Sequence, residues 1–333
     1  MESGNMSYND SKLGSNGTQP GHQEALSPRI HLLLLFIDLV ICVFGLVGNG
    51  VVIWFLTFKM KRNSCRVYIL NLAVADFTFV VGSLVNLIHF ICTAYDVTMS
   101  DTDSDNLLRV TRLMYNFGFN TSCFILAAIS VERCLAVLFT VEYQNNRPKH
   151  LSGIISVLLW ILSCLVTGLE YFFCRKVMQV QAPGNERCTP ARLFTSALYL
   201  LLTLLFITSS LVLLVEIRKT SKQCHPLRLY VVILSTVLIF FLSVVPARLL
   251  HHLVYFGVLQ SHSFSVYRFY VEVTCNSIHC SSNPYIYFLV GTWRKRGLRG
   301  SIKQALERVF KADRETSGSK EEMRGSDTAG TQG

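Results

Sequence analysis

The residues that could do chemistry are few, and each interrupts a long apolar run. Asn49, Asp76, Ser122 and the pair Asn283-Pro284 fall in four separate runs. A carboxylate joined by hydroxyl and amide oxygens suits a small hard cation such as Na⁺, which would sit at Asp76. The same groups could instead share water in a hydrogen-bonded network that only packs the structure. Both readings require the groups to converge, because an ionisable side chain in an apolar span is costly without a partner or a wet cavity. Glu132 and Arg133 are adjacent, and a guanidinium withdrawn from water needs such a carboxylate.

A second set lies toward the other ends of the runs: Asp38, Arg112, Tyr115, Glu170, Arg192, Arg248, His251 and Glu272. Arg109, Arg192 and Arg268 read as snorkelling residues, stems on apolar surface and heads in water. Arg248 lies too deep in its run for that, and with Glu170 it is expected to line a cavity. His251 and His252 say less, since neutral imidazole is tolerated in an apolar wall. His89 and His279 read as structural. Tyr115 and Arg133 are 18 residues apart, five helical turns or roughly 27 Å. They share one face of one helix at its two ends, so that helix could report an event at one end to the other.

Nothing here reads as an enzyme. There is no GxSG, HExxH or GxGD signature. The 11 cysteines cannot all pair, show no CxxC and no zinc-ligand spacing, and mostly sit in apolar runs as small buried hydrophobes. The last apolar run has no lysine, which excludes a retinal Schiff base there. No pair of broken helices in matched halves suggests a transporter.

The elements that must position these residues follow from composition. The chain has 333 residues, 51% hydrophobic and only 16% charged, against about 25% charged in soluble domains. Mean hydropathy is positive. A soluble enzyme, a disordered chain and a nucleic-acid binder are excluded. Seven runs are long enough to cross a bilayer as helices: 32–58, 67–91, 107–139, 151–173, 191–217, 227–259 and 267–290. The fold class is an all-α membrane protein, a seven-helix transmembrane bundle over residues 32–291.

Charge orients the bundle. Lys59, Lys61, Arg62 and Arg66 follow the first run, Arg147 and Lys149 the third, Arg218, Lys219, Lys222 and Arg228 the fifth, and Arg294-Lys295-Arg296 the seventh. The loop after the second run holds Asp96, Asp101, Asp103 and Asp105 and no Lys or Arg. The positive-inside rule places the N-terminus outside and the C-terminus inside. Much of the net charge of +10 then faces the anionic inner leaflet, making membrane lipid a partner. Residues 1–31 form a polar external tail with glycosylation sequons at Asn5, Asn9 and Asn16 and no apolar signal region. Residues 292–311 read as an eighth, cytoplasmic amphipathic helix, with Leu298, Ile302, Ala305, Leu306 and Val309 opposite Arg299, Lys303 and Arg308. Residues 312–333 form a polar tail without core-forming residues.

Seven spans with these landmarks resemble a rhodopsin-like G-protein-coupled receptor. The matching residues are Gly48-Asn49, Asn71-Leu72-Ala73-Val74-Ala75-Asp76, Glu132-Arg133-Cys134, Trp160, Pro246 and Asn283-Pro284-Tyr285-Ile286-Tyr287. Finer runs are similar to the Mas-related receptors: Ala128-Ile129-Ser130-Val131-Glu132-Arg133-Cys134-Leu135, Ile53-Trp54-Phe55-Leu56, Pro246-Ala247-Arg248-Leu249-Leu250 and Tyr287-Phe288-Leu289-Val290-Gly291.

The resemblance implies a plasma-membrane receptor for a short peptide or small cationic amphiphile, coupled to a heterotrimeric G protein and open to arrestin at the tail hydroxyls. It implies a disulfide between Cys174 and Cys188 that draws a loop aside and leaves a wide, shallow pocket. Ligand contacts are expected at Glu170, Arg248, Arg112, Tyr115, His251 and Glu272. G-protein coupling and activation are expected to run through Glu132, Arg133, Asn283, Pro284, Tyr287 and Pro246. Several positions depart from the usual receptor pattern. Val244 replaces the tryptophan two residues before Pro246, Leu204 stands near the usual proline of the fifth span, and Arg192 stands where a second ligand-binding acid is common. A mixed-sign cavity suits a peptide with one basic group and a free carboxylate. The other reading of the same fold is a non-signalling decoy or heterodimer partner.

Overall fold

A computed structural model describes residues 28–60, 64–95, 97, 100–138, 148, 150–174, 188–219, 227–255, 258–259 and 262–292. Seven helices occupy them: α1 (Pro28–Phe58), α2 (Ser64–Ala94), α3 (Asp101–Leu138), α4 (Leu151–Cys174), α5 (Cys188–Lys219), α6 (Leu227–Tyr255) and α7 (His262–Thr292). Six are long and apolar enough to cross a membrane. The exception is α7, whose Arg268, Glu272, Asn276, His279 and Asn283 lower its hydropathy. Those polar groups are affordable because α7 packs between α1, α2 and α6 and buries Asn276, His279 and Asn283. The glycosylation sequons at Asn5, Asn9 and Asn16, the amphipathic segment after α7 and the tail lie outside the described residues.

Helix α3 is the axis of the bundle and contacts α2, α4, α5, α6 and α7. It runs from Asp101, six residues before its apolar stretch begins. Asp101 and Asp103 in its first turn favour that extension by facing the positive end of the helix dipole. Arg109 and Asp105 add an i,i+4 ion pair at 3.6 Å.

In lipid, apolar faces gain nothing by meeting each other, so close approach and polar contact must hold the helices together. Two glycines supply the approach between α2 and α3. A Cβ on Gly82 would lie 2.8 Å from Tyr115 N and 2.9 Å from Thr111 O. A Cβ on Gly118 would run into the Phe79 backbone nitrogen and lie 2.8 Å from Ala75 O. Each helix thus offers a glycine to the other's backbone, one turn from Tyr115. Outside this seam the bundle shows apolar side chains such as Phe44, Trp54, Leu158, Ile161, Leu201 and Leu242, the surface a bilayer requires.

Candidate ligand pocket and transmission site

At the end of the bundle where α1 begins, the chain places an acid and a base from different helices in contact. Arg248 on α6 puts Nη1 3.1 Å from Glu272 Oε1 on α7. Its guanidinium carbon lies 4.6 Å from the Tyr199 ring centroid and 5.0 Å from that of Phe119, so it stacks between α5 and α3. Tyr199 donates its hydroxyl to Asn120 Oδ1 at 2.6 Å, and Asn120 Nδ2 donates to Thr167 Oγ1 at 3.0 Å. The rotamer of Arg248 is therefore fixed by contacts from α3, α5 and α7, with α4 behind them. Asn120 is buried in these bonds.

His251, one turn beyond Arg248, lies with Nδ1 3.0 Å from Glu272 Oε2. Arg268 Nη1 lies 2.9 Å from the same nitrogen, and Arg192 Nη1 contacts Nε2 on the other side. Glu170 is half-buried near the end of α4, with the Thr195 hydroxyl beside it and Arg248 and Arg192 within electrostatic range. Tyr115 accepts from Asn276 Nδ2 at 2.7 Å and stacks on Phe79 at 4.6 Å. Of the six residues expected to contact ligand, Glu170, Arg248, His251 and Glu272 thus form one cluster, and Tyr115 is tied to the same helix as Glu272. Arg112 is exposed on α3. Asp38 is buried against α7 beside Thr274 instead.

Two residues read as snorkellers behave otherwise. Arg192 and Arg268 turn toward His251 rather than out to water, because the bundle offers them an imidazole and, through it, a carboxylate. Only Arg109 stays at the surface. Tyr199, Asn120 and Asn276 gave no signal in the sequence beyond being polar residues inside spans. Asn276 was findable in principle, since it lies one turn from Glu272 and two from Asn283 on a helix face already known to be polar.

Deeper in the bundle, Ser122 donates to Asp76 Oδ1 at 2.5 Å and Asn283 Nδ2 donates to Oδ2 at 2.7 Å. Three of the four expected polar residues therefore converge. Asn49 stands next to them but bonds backbone instead, donating to Gly45 O at 3.0 Å and Cys280 O at 3.1 Å. It fastens α1 to α7 rather than touching Asp76. His279 is fully buried, with its ring edge-on to Phe119 at 6.1 Å and Phe240 at 5.7 Å, a packing role as the sequence suggested.

At the far end Arg133 Nη2 lies 3.2 Å from Glu132 Oε1, and both side chains are almost entirely buried. Tyr287 and Pro284 are buried on α7, while Pro246 lies within α6. A proline inside a helix removes one backbone hydrogen bond and permits a bend. Phe240 packs on Phe206 at 4.8 Å beside Val244, the position without a tryptophan. Cys174 and Cys188 form a disulfide that joins the end of α4 to the start of α5.

The whole chain compares with known proteins as this geometry suggests. Residues 48–287 match the family model of the 7 transmembrane receptor (rhodopsin family). The chain is 35% identical to the human protein "Proto-oncogene Mas" over 297 residues, 87% of this chain and 86% of that one. It is 34% identical to Mas-related G-protein coupled receptor member D of Macaca fascicularis over 304 residues, 90% and 91% of the two chains. It is 39% identical to Mas-related G-protein coupled receptor member H of Rattus norvegicus over 281 residues, 82% of each. A seven-helix bundle with a buried Glu132-Arg133 pair, a polar cluster at Asp76 and a cystine between α4 and α5 belongs with these relatives, and the chain is a member of the Mas-related branch of the rhodopsin-like G-protein-coupled receptors.

Proposed function

We propose that the chain is a peptide receptor of the plasma membrane, N-terminus outside, that signals through a heterotrimeric G protein. The observation that carries this reading is the pairing of two sites on one bundle. A mixed-sign cluster, Glu170, Arg248, His251 and Glu272, lies at one end. A buried, paired Arg133 lies at the other, on the helix that also holds Tyr115 and Phe119.

The ligand is a short peptide or a small cationic amphiphile. The cluster favours the peptide, because Glu272 is already paired with Arg248 and the site offers anchors of both signs. Binding acts by being tighter to a bundle in which the inner end of α6 has swung out, bending near Pro246, and Arg133 has left Glu132 to meet a Gα C-terminus. Arrestin would engage the phosphorylated tail hydroxyls, which gain charge on modification. Asp76 with Ser122 Oγ and Asn283 Oδ1 offers three oxygens to Na⁺. Asn283 Oδ1 is buried without a donor among the described residues, which supports that fit. A bound Na⁺ would hold Asp76, Ser122 and Asn283 together and so favour the resting bundle.

The test is a G-protein dissociation assay across Gα classes in transfected cells, challenged with basic, amidated and free-acid peptides. The reading expects at least one peptide whose response is lost in Glu170→Gln and in Arg248→Gln at unchanged surface expression. Silence from every Gα class, basal and stimulated, would replace it with the decoy or heterodimer reading.

A further inference from the structure

Among the described groups that face the His251 ring, hydrogen-bond donors outnumber acceptors. Arg192 Nη1 faces His251 Nε2, while Arg268 Nη1 and Glu272 Oε2 both face Nδ1, at 2.9 and 3.0 Å. A neutral imidazole has one N–H and one bare nitrogen. With the proton on Nδ1, the ring donates to Glu272 and accepts from Arg192, and Arg268 is turned away. With the proton on Nε2, the ring accepts from Arg268, meets Arg192 hydrogen to hydrogen, and gives Glu272 nothing. A protonated ring accepts from neither arginine. Every arrangement therefore leaves a guanidinium donor aimed at this ring without an acceptor there.

A second observation is independent of the imidazole. Arg248 Nε and Arg268 Nε are both buried and have no hydrogen-bond acceptor among the described residues. Glu272 already receives Arg248 and His251, and Glu170 stands near Arg248 and Arg192. Arg248 and Arg268 thus each keep one buried donor with no acceptor among the described residues. An unsatisfied buried donor is costly, more so when it is charged, and such a deficit marks a place built for an acceptor that arrives from outside.

We propose that the missing acceptor is an anionic group of the ligand, a carboxylate, received between Arg248 and Arg268 at the α6–α7 face of the pocket. A planar carboxylate matches the fork of a guanidinium with two parallel bonds. The apolar body next to that carboxylate would meet aromatic side chains, since Arg248 itself lies over Phe119 and Tyr199. Glu272 acts as the resident competitor, occupying Arg248 until a ligand carboxylate replaces or joins it. The inference rests on the receptor reading above and sharpens it: the carboxylate, not a basic group, is the primary anchor at this end of the pocket.

The test uses the purified full-length chain in lipid nanodiscs and three probes of equal shape: 4-phenylbutyrate, 4-phenylbutyramide and 4-phenylbutylamine. Thermal unfolding is followed at fixed pH and ionic strength over a concentration series. The acid is expected to raise Tm saturably, and the amide and the amine are not. Glu272→Gln should lower the acid concentration needed, because it removes the competitor. Arg268→Gln should raise it at least ~tenfold, the cost of a lost charged hydrogen bond. Arg268→Lys keeps the charge without the fork and should fall between. The unliganded Tm of each variant reports its folding separately. A Tm rise with the amine, equal rises with all three probes, no rise with any, or an acid midpoint unmoved in both Glu272→Gln and Arg268→Gln would overturn the proposal. Nucleotide exchange on added Gα proteins is measured in the same nanodiscs. Exchange without an acid response overturns the anion site alone, and an acid response without exchange from any Gα overturns the receptor reading alone.

Discussion

Arg248 and Glu272 tie α6 to α7 through a 3.1 Å ion pair whose cationic member is stacked at 4.6 Å on Tyr199 of α5. Arg248 lies two residues beyond Pro246, so the pair holds the outer half of α6 to α7 while the inner half is free to bend at the proline. Its side chains are about one-fifth exposed, so solvent screens it only in part. Removing one partner leaves the other charge under-compensated, whereas removing both does not. Arg248→Gln and Glu272→Gln should each lower stability by about 1–3 kcal/mol, with the double variant less than additive. A double-mutant cycle on thermal unfolding measures the coupling, and strict additivity would show that the two groups do not sense each other.

The seam between α2 and α3 predicts a sharp contrast between glycines. Gly118→Ala must push its methyl into the Phe79 backbone. Overpacking of this kind costs about 1–3 kcal/mol, and here it would also displace Tyr115, one turn away. Gly153→Ala on α4 has open space at its Cβ and should be neutral or slightly stabilising, since alanine is the better helix former. Surface expression and Tm of the two variants should separate clearly; equal values would mean that α2 and α3 do not approach as described.

The cystine between α4 and α5 closes a loop with a sequence separation of 14. Its removal should cost about 3 kcal/mol in the chain-entropy model. Cys174→Ser, Cys188→Ser and the double variant should lose the same stability, because all three break one bond. A double variant clearly worse than either single one would show that the thiols contribute separately. Arg192 donates from Nε toward Cys188 Sγ at 3.3 Å, so loss of the bridge should also weaken ligand responses that depend on the His251 cluster.

Asp76 accepts from Ser122 and Asn283 through its two oxygens, and an amide cannot accept at both positions. Asp76→Asn should remove any difference in Tm between sodium and choline buffers of equal ionic strength, a difference the unmodified chain should show. Absence of a sodium effect in the unmodified chain would reduce the cluster to a hydrogen-bonded network that packs α2, α3 and α7.

Much of this is legible in the sequence. The seven runs fall on the seven helices with ends that differ by up to six residues, since 20 apolar residues leave few alternatives to a spanning helix. The adjacency of Glu132 and Arg133 announced their pairing, and Arg248, expected from its depth to line a cavity, is met by Glu272, Tyr199 and Phe119. What periodicity could not supply was rotation about the helix axes. Inside lipid the outward face is as apolar as the inward one, so the pattern does not say which way a polar side chain turns. Arg192 and Arg268 look like surface residues for that reason, although both reach His251. Asn49 looks like a partner of Asp76, yet a carbonyl freed on α7 captures it first. Helix α3 starts six residues before its apolar run because its first turns are held by charge rather than hydrophobicity. The string Tyr199–Asn120–Thr167 joins three helices, and no local feature of a single helix encodes it.

In the proposed function, events in the α6–α7 cluster are read out at Arg133. The most direct measurement is nucleotide exchange by purified Gα proteins in the presence of the reconstituted chain, comparing the unmodified protein with Arg133→Ala. Accelerated exchange is expected on at least one Gα class, abolished by Arg133→Ala although that variant still folds and still responds to the acid probe in thermal unfolding. Exchange that persists in Arg133→Ala, or a properly folded chain that accelerates exchange on no Gα class, would contradict it.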